Sequence, residues 1–296
     1  MQESNEKAFY LAVLRVLVSL WLLKEMIFRW PAFDVLYSNH SFLQLNPTQY
    51  FSFFRLNAGF LREHYMVLVS ICMCLLVFNL LGIGRNIVSL LLFICFTLLY
   101  NFNNMFTNGG DEMSMLLLFY LSFANSFSFF TLFKRKPWLP QTEKVYNLLS
   151  NLAAYSIMIN LCLIYFIAGM YKLMHPYWQT GTAIYYFANY ERFSVFAAGG
   201  KFVAVPLLLS NLFTYGTILL ELGFPVLAWH KKYRNIIFSL MLVMHLCIYF
   251  FLMIYSMTVI FIIQYGLFYS NREVMLAAGK VKLFFSKLFN LVKVKA

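Results

Sequence analysis

Apolar runs close to the length of a membrane crossing recur along this chain, and no other feature of the sequence restricts its folding as much. A helix needs about 20 residues to traverse ~30 Å of hydrocarbon. Such runs lie near 9–29, 65–82, 86–105, 112–131, 151–173 and 204–229. The stretch from Asn235 to Tyr269 is apolar almost throughout. As one helix it would be about 50 Å long, so two short spans turning near Tyr255 and Ser256 are expected. The expected fold class is all-α: a polytopic transmembrane helical bundle of about eight spans over 1–270, followed by a basic amphipathic tail over 271–296.

Composition excludes the soluble alternative. Charged residues make up 11% of the 296 and hydrophobic ones 62%, whereas a soluble domain carries about 25% charged residues. The polar surface is too small to coat a globule in water. A formal charge of +12 would suggest nucleic acid on a soluble protein. Here the Lys and Arg cluster between and after apolar runs, which points to membrane lipids and not to nucleic acid.

The same charges set the expected orientation. With eight spans and both termini in the cytoplasm, the inner segments hold Lys7, Arg85, Lys134, Arg135, Lys136, Lys144, Lys231, Lys232, Arg234 and the tail. The outer loops keep Arg55, Arg62, Arg192 and Lys201. Seven spans would put the lysines of the tail outside, against the positive-inside rule. A multi-pass protein of the cell inner membrane is the expected localisation. The acidic, polar start MQESNEKAFY lacks a basic n-region, and no small-residue cleavage site follows Leu11 to Leu23. The first run is therefore expected to stay as a helix. In the tail, Lys alternates with Leu, Phe and Val at helical spacing, as in an anchoring helix at a lipid surface.

Three outer segments exceed simple turns: Trp30 to His64, the acidic TNGGDE at 107–112, and His175 to Val203 with WQTGTAIYYFANYERF. A lid or short interfacial helices are expected there. Cys72, Cys74, Cys95, Cys162 and Cys247 fall inside apolar runs without a CxxC pair, which reads as core packing without metal or redox work.

Ionisable side chains inside spans cost at least ~2.5 kcal/mol on insertion scales, so each is a candidate for function. They are Arg15, Lys24, Glu25, Lys172, Glu221 and His245. Arg15 and Glu221 fall at similar depth and are expected to form a structural ion pair. Lys24 and Glu25 adjoin at the end of the first span, where an interfacial pair is the ordinary expectation. His245, in SLMLVMHLCIYFF, is a lone histidine and makes no metal site; hydrogen bonding to a neighbouring helix and proton relay both stand open. Lys172 ends the fifth span in YFIAGMYKLMHPYW, beside the loop holding Asp111 and Glu112. Snorkelling and general-base chemistry are both open to it. NFNNMFTNGGD, over 101–111, either lines a polar pocket or caps the next helix through Asn108 or Asp111.

At Lys172 the sequence also resembles a known family. YFIAGMYKL, followed by Trp178 and Gly181, is similar to the segment of vitamin K-dependent gamma-carboxylases that carries their proposed catalytic lysine. ELGFPVL, the histidine of HLCIYF and the run SMTVIFIIQYGLF resemble the same membrane region, the HTTM domain. The size and the NGGDE loop look similar to small bacterial members of the sporulation-delaying protein B type. The resemblance implies a reduced lipid quinone of the vitamin K type as cofactor, with Lys172 as base and His245 as second catalytic residue. It implies Tyr165, Trp178 and Asp111 as cofactor-binding residues, and carboxylase-like lyase or monooxygenase chemistry. The carboxylases carry a large substrate-holding domain after the membrane part, and a short basic tail stands in that place here. Maturation of an exported peptide with a partner protein is therefore the implied role. A membrane transporter or assembly factor without catalysis is the alternative, and no internal repeat speaks for transport.

Overall fold

The computed structural model describes residues 4–38, 58–101, 108–133, 140–191, 194–195 and 200–280. It is helical, with no strand among the described residues. Helices α1 (Ala8–Arg29), α2 (Phe33–Tyr37), α3 (Ala58–Glu63), α4 (Tyr65–Leu81), α5 (Arg85–Asn101) and α6 (Gly109–Phe123) are followed by α7 (Pro140–Met174). Short helices α8 (Pro176–Gln179) and α9 (Ala183–Ala188) lead to α10 (Leu207–Leu227), α11 (Lys231–Phe251) and α12 (Tyr255–Ile262). Single 3₁₀ turns cover Trp30–Ala32 and Tyr265–Phe268, and residues 271–280 are helical again.

Three of these helices, α7 from Thr142, α10 and α11, are long and apolar enough to cross a membrane, and they mark the chain as a membrane protein. α4 and α5 are apolar but shorter. The span expected over 112–131 is a shorter helix, because α6 starts at Gly109 and ends at Phe123. The span expected over 151–173 is longer, since α7 runs back through polar residues to Pro140. The long apolar run after Asn235 breaks at Leu252–Ile254, where Met253 takes a positive φ of 54°. The basic cluster at Lys134–Lys136, Arg55, Arg192 and the tail from residue 281 lie outside the described residues, as does most of NFNNMF.

The chain divides into two compact units. The first holds 1–107, 115–155 and 269–296. Its core is a stripe on α1, where Leu11, Leu14, Arg15, Val18 and Leu22 recur at helical spacing and are buried. α1 packs on α4, and α4 on α5. Arg15 is the largest fully buried side chain. Its Nε donates to the Ser126 carbonyl at 3.2 Å. One terminal nitrogen donates to the carbonyls of Asn79 and of Leu80, the latter at 3.1 Å. The other donates to those of Phe129 and Phe130, at 3.3 and 2.7 Å. The guanidinium thus binds carbonyls at the end of α4, where that of Asn79 also accepts the Gly82 N–H, and its central carbon lies 4.8 Å from the Phe127 ring centroid. Asn79 completes the arrangement: its side chain donates to Ser19 Oγ at 3.0 Å and accepts from Ser89 Oγ at 2.7 Å.

At the end of α1, Lys24 pairs with Glu25 at 2.8 Å and Arg29 with Glu25 at 3.3 Å. The Lys24 ammonium lies 4.3 Å from the Trp21 ring and 5.0 Å from Phe28, the arrangement of an interfacial anchor. Asparagines bind the N-terminal segment. Asn151 donates to the Ser4 carbonyl and accepts from Glu6 N–H, and Asn271 accepts from Phe9 N–H and donates to the Asn5 carbonyl. Lys7 Nζ donates to the Tyr269 carbonyl at 2.8 Å.

The second unit holds 108–114 and 156–268. α9 packs on α10, α10 on α11, and α11 on α12. A β-carbon at Gly110 would run into the backbone of Ser256 and Met257. That glycine is what lets the first turn of α6 lie against the start of α12.

Candidate functional site

Two polar clusters, the upper half-buried and the lower buried, on α7, α8, α10, α11, α12 and the 3₁₀ turn after it make up the candidate site, all within the second unit. Lys172 and Tyr165 lie seven residues apart on α7, two turns or about 10 Å along one face. Glu221 and Phe224 lie three apart on α10, again on one face.

In the upper cluster, Lys172 Nζ donates to both carboxylate oxygens of Glu221 at 2.7 Å. Gly169, one turn before Lys172, makes this reach possible: a β-carbon there would sit 2.8 Å from Leu222 Cδ2 and 3.4 Å from Glu221 Cβ. The indole of Trp178, on α8, lies 5.1 Å from the ammonium, within cation–π range.

In the lower cluster, the Tyr165 hydroxyl lies 2.7 Å from His245 Nε2 and 2.7 Å from the Tyr265 hydroxyl. All three residues are buried. The Tyr165 ring stands 4.5 Å from Phe224 and 5.5 Å from Phe261. Phe238 stacks on Tyr265 at 4.9 Å. Thr258 Oγ1 ties the His245 carbonyl to α12 at 3.3 Å. His245 Nδ1 is buried with no hydrogen-bond partner among the described residues, which is costly for a polar atom in an apolar bundle.

Of the residues singled out in the sequence, Lys172 meets Trp178, and Tyr165 meets His245. Arg15 and Glu221, expected to pair, each have other partners within their own unit. Arg15 spends its donors on main-chain carbonyls at the end of α4 and in the segment after α6, whereas Glu221 faces Lys172. The carboxylate beside Lys172 is that of Glu221, not of the loop at 107–112. Asp111 belongs to a helix cap. Its Oδ2 accepts from Asn108 N–H at 3.2 Å, and Asn108 Oδ1 accepts from the N–H groups of Gly110 and Asp111 at 2.7 and 3.3 Å. This reciprocal cap of α6 is one of the two roles the sequence left open for NGGD.

Two participants escaped sequence reasoning: Glu221 as the partner of Lys172, and Tyr265. The glycine one turn before Lys172, in a small-residue pair Ala168–Gly169, was the signal available for a close helix approach. Tyr265 carried none, being one tyrosine among 20. No group of three or more His, Cys, Asp or Glu able to hold a metal ion occurs among the described residues. No family model, no curated protein and no solved structure matches the chain.

Proposed function

We propose that this chain is an HTTM-type protein of the bacterial inner membrane in which Lys172 and Glu221 together handle a proton during a quinone-linked reaction. That reaction serves the maturation of an exported peptide presented by a partner protein. The observation that carries the proton chemistry is the two-fold hydrogen bond from Lys172 Nζ to Glu221. Transfer of one proton from Nζ to the carboxylate turns the ion pair into amine and carboxylic acid. The amine is the form able to take a proton from a substrate hydroxyl. That leaves Lys172 as ammonium and Glu221 as carboxylic acid, one proton more than at the start, and the site resets when Glu221 gives that proton to water or another acceptor outside the pair.

The residues fit a reduced lipid quinone in kind. A charged pair lies beside an indole face, and a buried ring nitrogen, His245 Nδ1, lacks a partner. Such a quinol supplies an acidic hydroxyl and a ring that reacts with oxygen. Trp178 offers it a flat aromatic face, and the rings around Tyr165 exclude water from the lower cluster.

The topology proposed is eight crossings, by α1, α4, α5, α6, α7, α10, α11 and α12 with its following 3₁₀ turn, and both termini cytoplasmic. Support for an even number comes from the bonds of Lys7 to Tyr269 and of Asn271 to Asn5 and Phe9. They join the start of α1 to the residues just after the last crossing. The distribution of Lys and Arg favours the cytoplasmic side for both.

The competing reading is that the pair only locks α7 to α10, as the close approach at Gly169 would also favour, in a transporter or assembly factor. Oxygen uptake by the purified protein in lipid nanodiscs with a reduced naphthoquinone separates the two. Uptake by wild type, lost in a folded Lys172→Met protein, supports the proposal. A wild type that neither consumes oxygen nor retains quinone on lipid extraction overturns it in favour of the structural lock.

A further inference from the structure

Between Leu173 and Tyr190 the sequence has no Asp, Glu, Lys or Arg, yet α8 and α9, which occupy it, expose the rings of Tyr177, Tyr186 and Phe187, and rings on either side of them are exposed too. Tyr171 is 69% exposed, Tyr186 50% and Phe202 71%. Their rings form a continuous series. Tyr171 faces His175 at 6.4 Å, His175 faces Tyr177 at 5.5 Å, Tyr177 faces Tyr186 at 4.5 Å, and Tyr185 faces both Tyr186 and Phe202, at 5.5 and 6.0 Å.

This rim is held in place by hydrogen bonds from α10. Gly181, at a φ of 73°, turns its carbonyl toward α10, where it accepts from Ser210 Oγ at 2.8 Å and Thr214 Oγ1 at 3.1 Å. The same two hydroxyls accept the N–H groups of Tyr185 and Ile184 at the start of α9, both at 3.3 Å. Tyr215 donates to the Gln179 carbonyl at 2.8 Å. A side chain at Gly181 would run into Asn211 and Tyr215.

Two constraints fix the medium around such a rim. In water, a charge-free surface of this many rings would be an unusually large apolar patch. Inside hydrocarbon, the non-helical backbone at 189–191 and 200–206 would leave polar groups without partners. The boundary between headgroups and acyl chains satisfies both, because a tyrosine ring there has its body in lipid and its hydroxyl in the wet layer. We infer that α8 and α9 are seated in that boundary, at the end of α7. The aromatic rim is then a lateral portal through which Lys172 is reached from the lipid phase and not from bulk water. The Lys172 side chain is 19% exposed beneath Trp178, so the portal has a reactive group at its inner end. A flat-headed, long-tailed amphiphile is the ligand class it would admit. This last point rests on the quinone reading; the seat in the lipid boundary does not.

Trp178 is the reporter for the test. The fluorescence difference between wild type and Trp178→Phe is recorded in phosphatidylcholine vesicles carrying bromines at shallow or deep acyl positions, and separately with aqueous iodide. The inference predicts that shallow bromines lower the Trp178 signal about twofold and more than deep ones, as expected for an interfacial ring, while iodide has little effect. Iodide quenching like that of free indole, or indifference to bromines at both depths, overturns it. Should Trp178→Phe fail to fold, Tyr186→Trp read against wild type gives the same comparison from α9. Neither quencher is a quinone, so the outcome is independent of whether quinol chemistry occurs.

Discussion

Lys172 Nζ sits 2.7 Å from each carboxylate oxygen of Glu221. Neither side chain has another ionic partner among the described residues. In an apolar bundle such a pair either repays its desolvation by geometry alone or is kept for what its proton can do. The arrangement around it, with an indole on one side and a hydrogen-bonded tyrosine and histidine two turns below, favours the second.

The first unit depends on Arg15 in the opposite way, as a cation satisfied by main-chain oxygens and a phenylalanine ring. Replacing it by Met takes these donors from the carbonyls of Leu80, Ser126, Phe129 and Phe130, while that of Asn79 keeps the Gly82 N–H. Each buried orphan costs about 1–3 kcal/mol. Arg15→Met is expected to lower the unfolding midpoint in detergent steeply, and Arg15→Lys to rescue it only in part, since an ammonium lacks the planar fork. An unchanged midpoint for Arg15→Met would show that these carbonyls have other partners.

Gly110 is expected to tolerate no side chain. A β-carbon there meets the backbone of Ser256 and Met257, which has no rotamer to give. Gly110→Ala should cost about 1–3 kcal/mol, read as a lowered melting temperature. Gly279→Ala, where a β-carbon meets nothing within 4 Å, serves as the neutral comparison. Equal melting temperatures for the two variants would refute the close approach.

Ser270 and Glu273 form a capping box in front of helical residues 271–280. Ser270 N–H donates to Glu273 Oε2 at 2.8 Å, and Ser270 Oγ accepts from Glu273 N–H at 3.3 Å. Ser270→Ala is expected to cost about 1 kcal/mol of local stability. Amide exchange over 271–280 should then quicken several-fold, with the first unit otherwise unchanged. Exchange at the wild-type rate would mean that this helix is held by something other than its cap.

Much of the helical framework was legible because an apolar run and its length follow directly from what lipid requires of a backbone. α1, α4, α5, α10 and the break after α11 fell within a few residues of expectation. The ends of α6 and α7 did not: α7 takes in polar residues back to Pro140, and α6 stops at Phe123, just before Asn125, whose main chain is bonded to Asn5 and Ser150, distant in sequence. Among the site residues, Lys172, His245, Tyr165 and Trp178 stood out as ionisable or aromatic groups in apolar surroundings. Which carboxylate faced Lys172 was not legible. Hydropathy gives a residue's depth along its own helix and says nothing of rotation about the axis or of which helices adjoin. Glu221 was therefore matched by depth to Arg15, although Gly169 had already marked the face of α7 open to close approach.

The central claim, that Lys172 and Glu221 act as one proton-handling unit, is tested most directly by a double-mutant cycle on quinol-dependent oxygen uptake. It uses Lys172→Met, Glu221→Gln and the double variant in nanodiscs, each shown to be folded. A shared function predicts that either single substitution removes about as much activity as both together. Activity that survives Glu221→Gln while Lys172→Met abolishes it, or losses that simply multiply, would contradict the account.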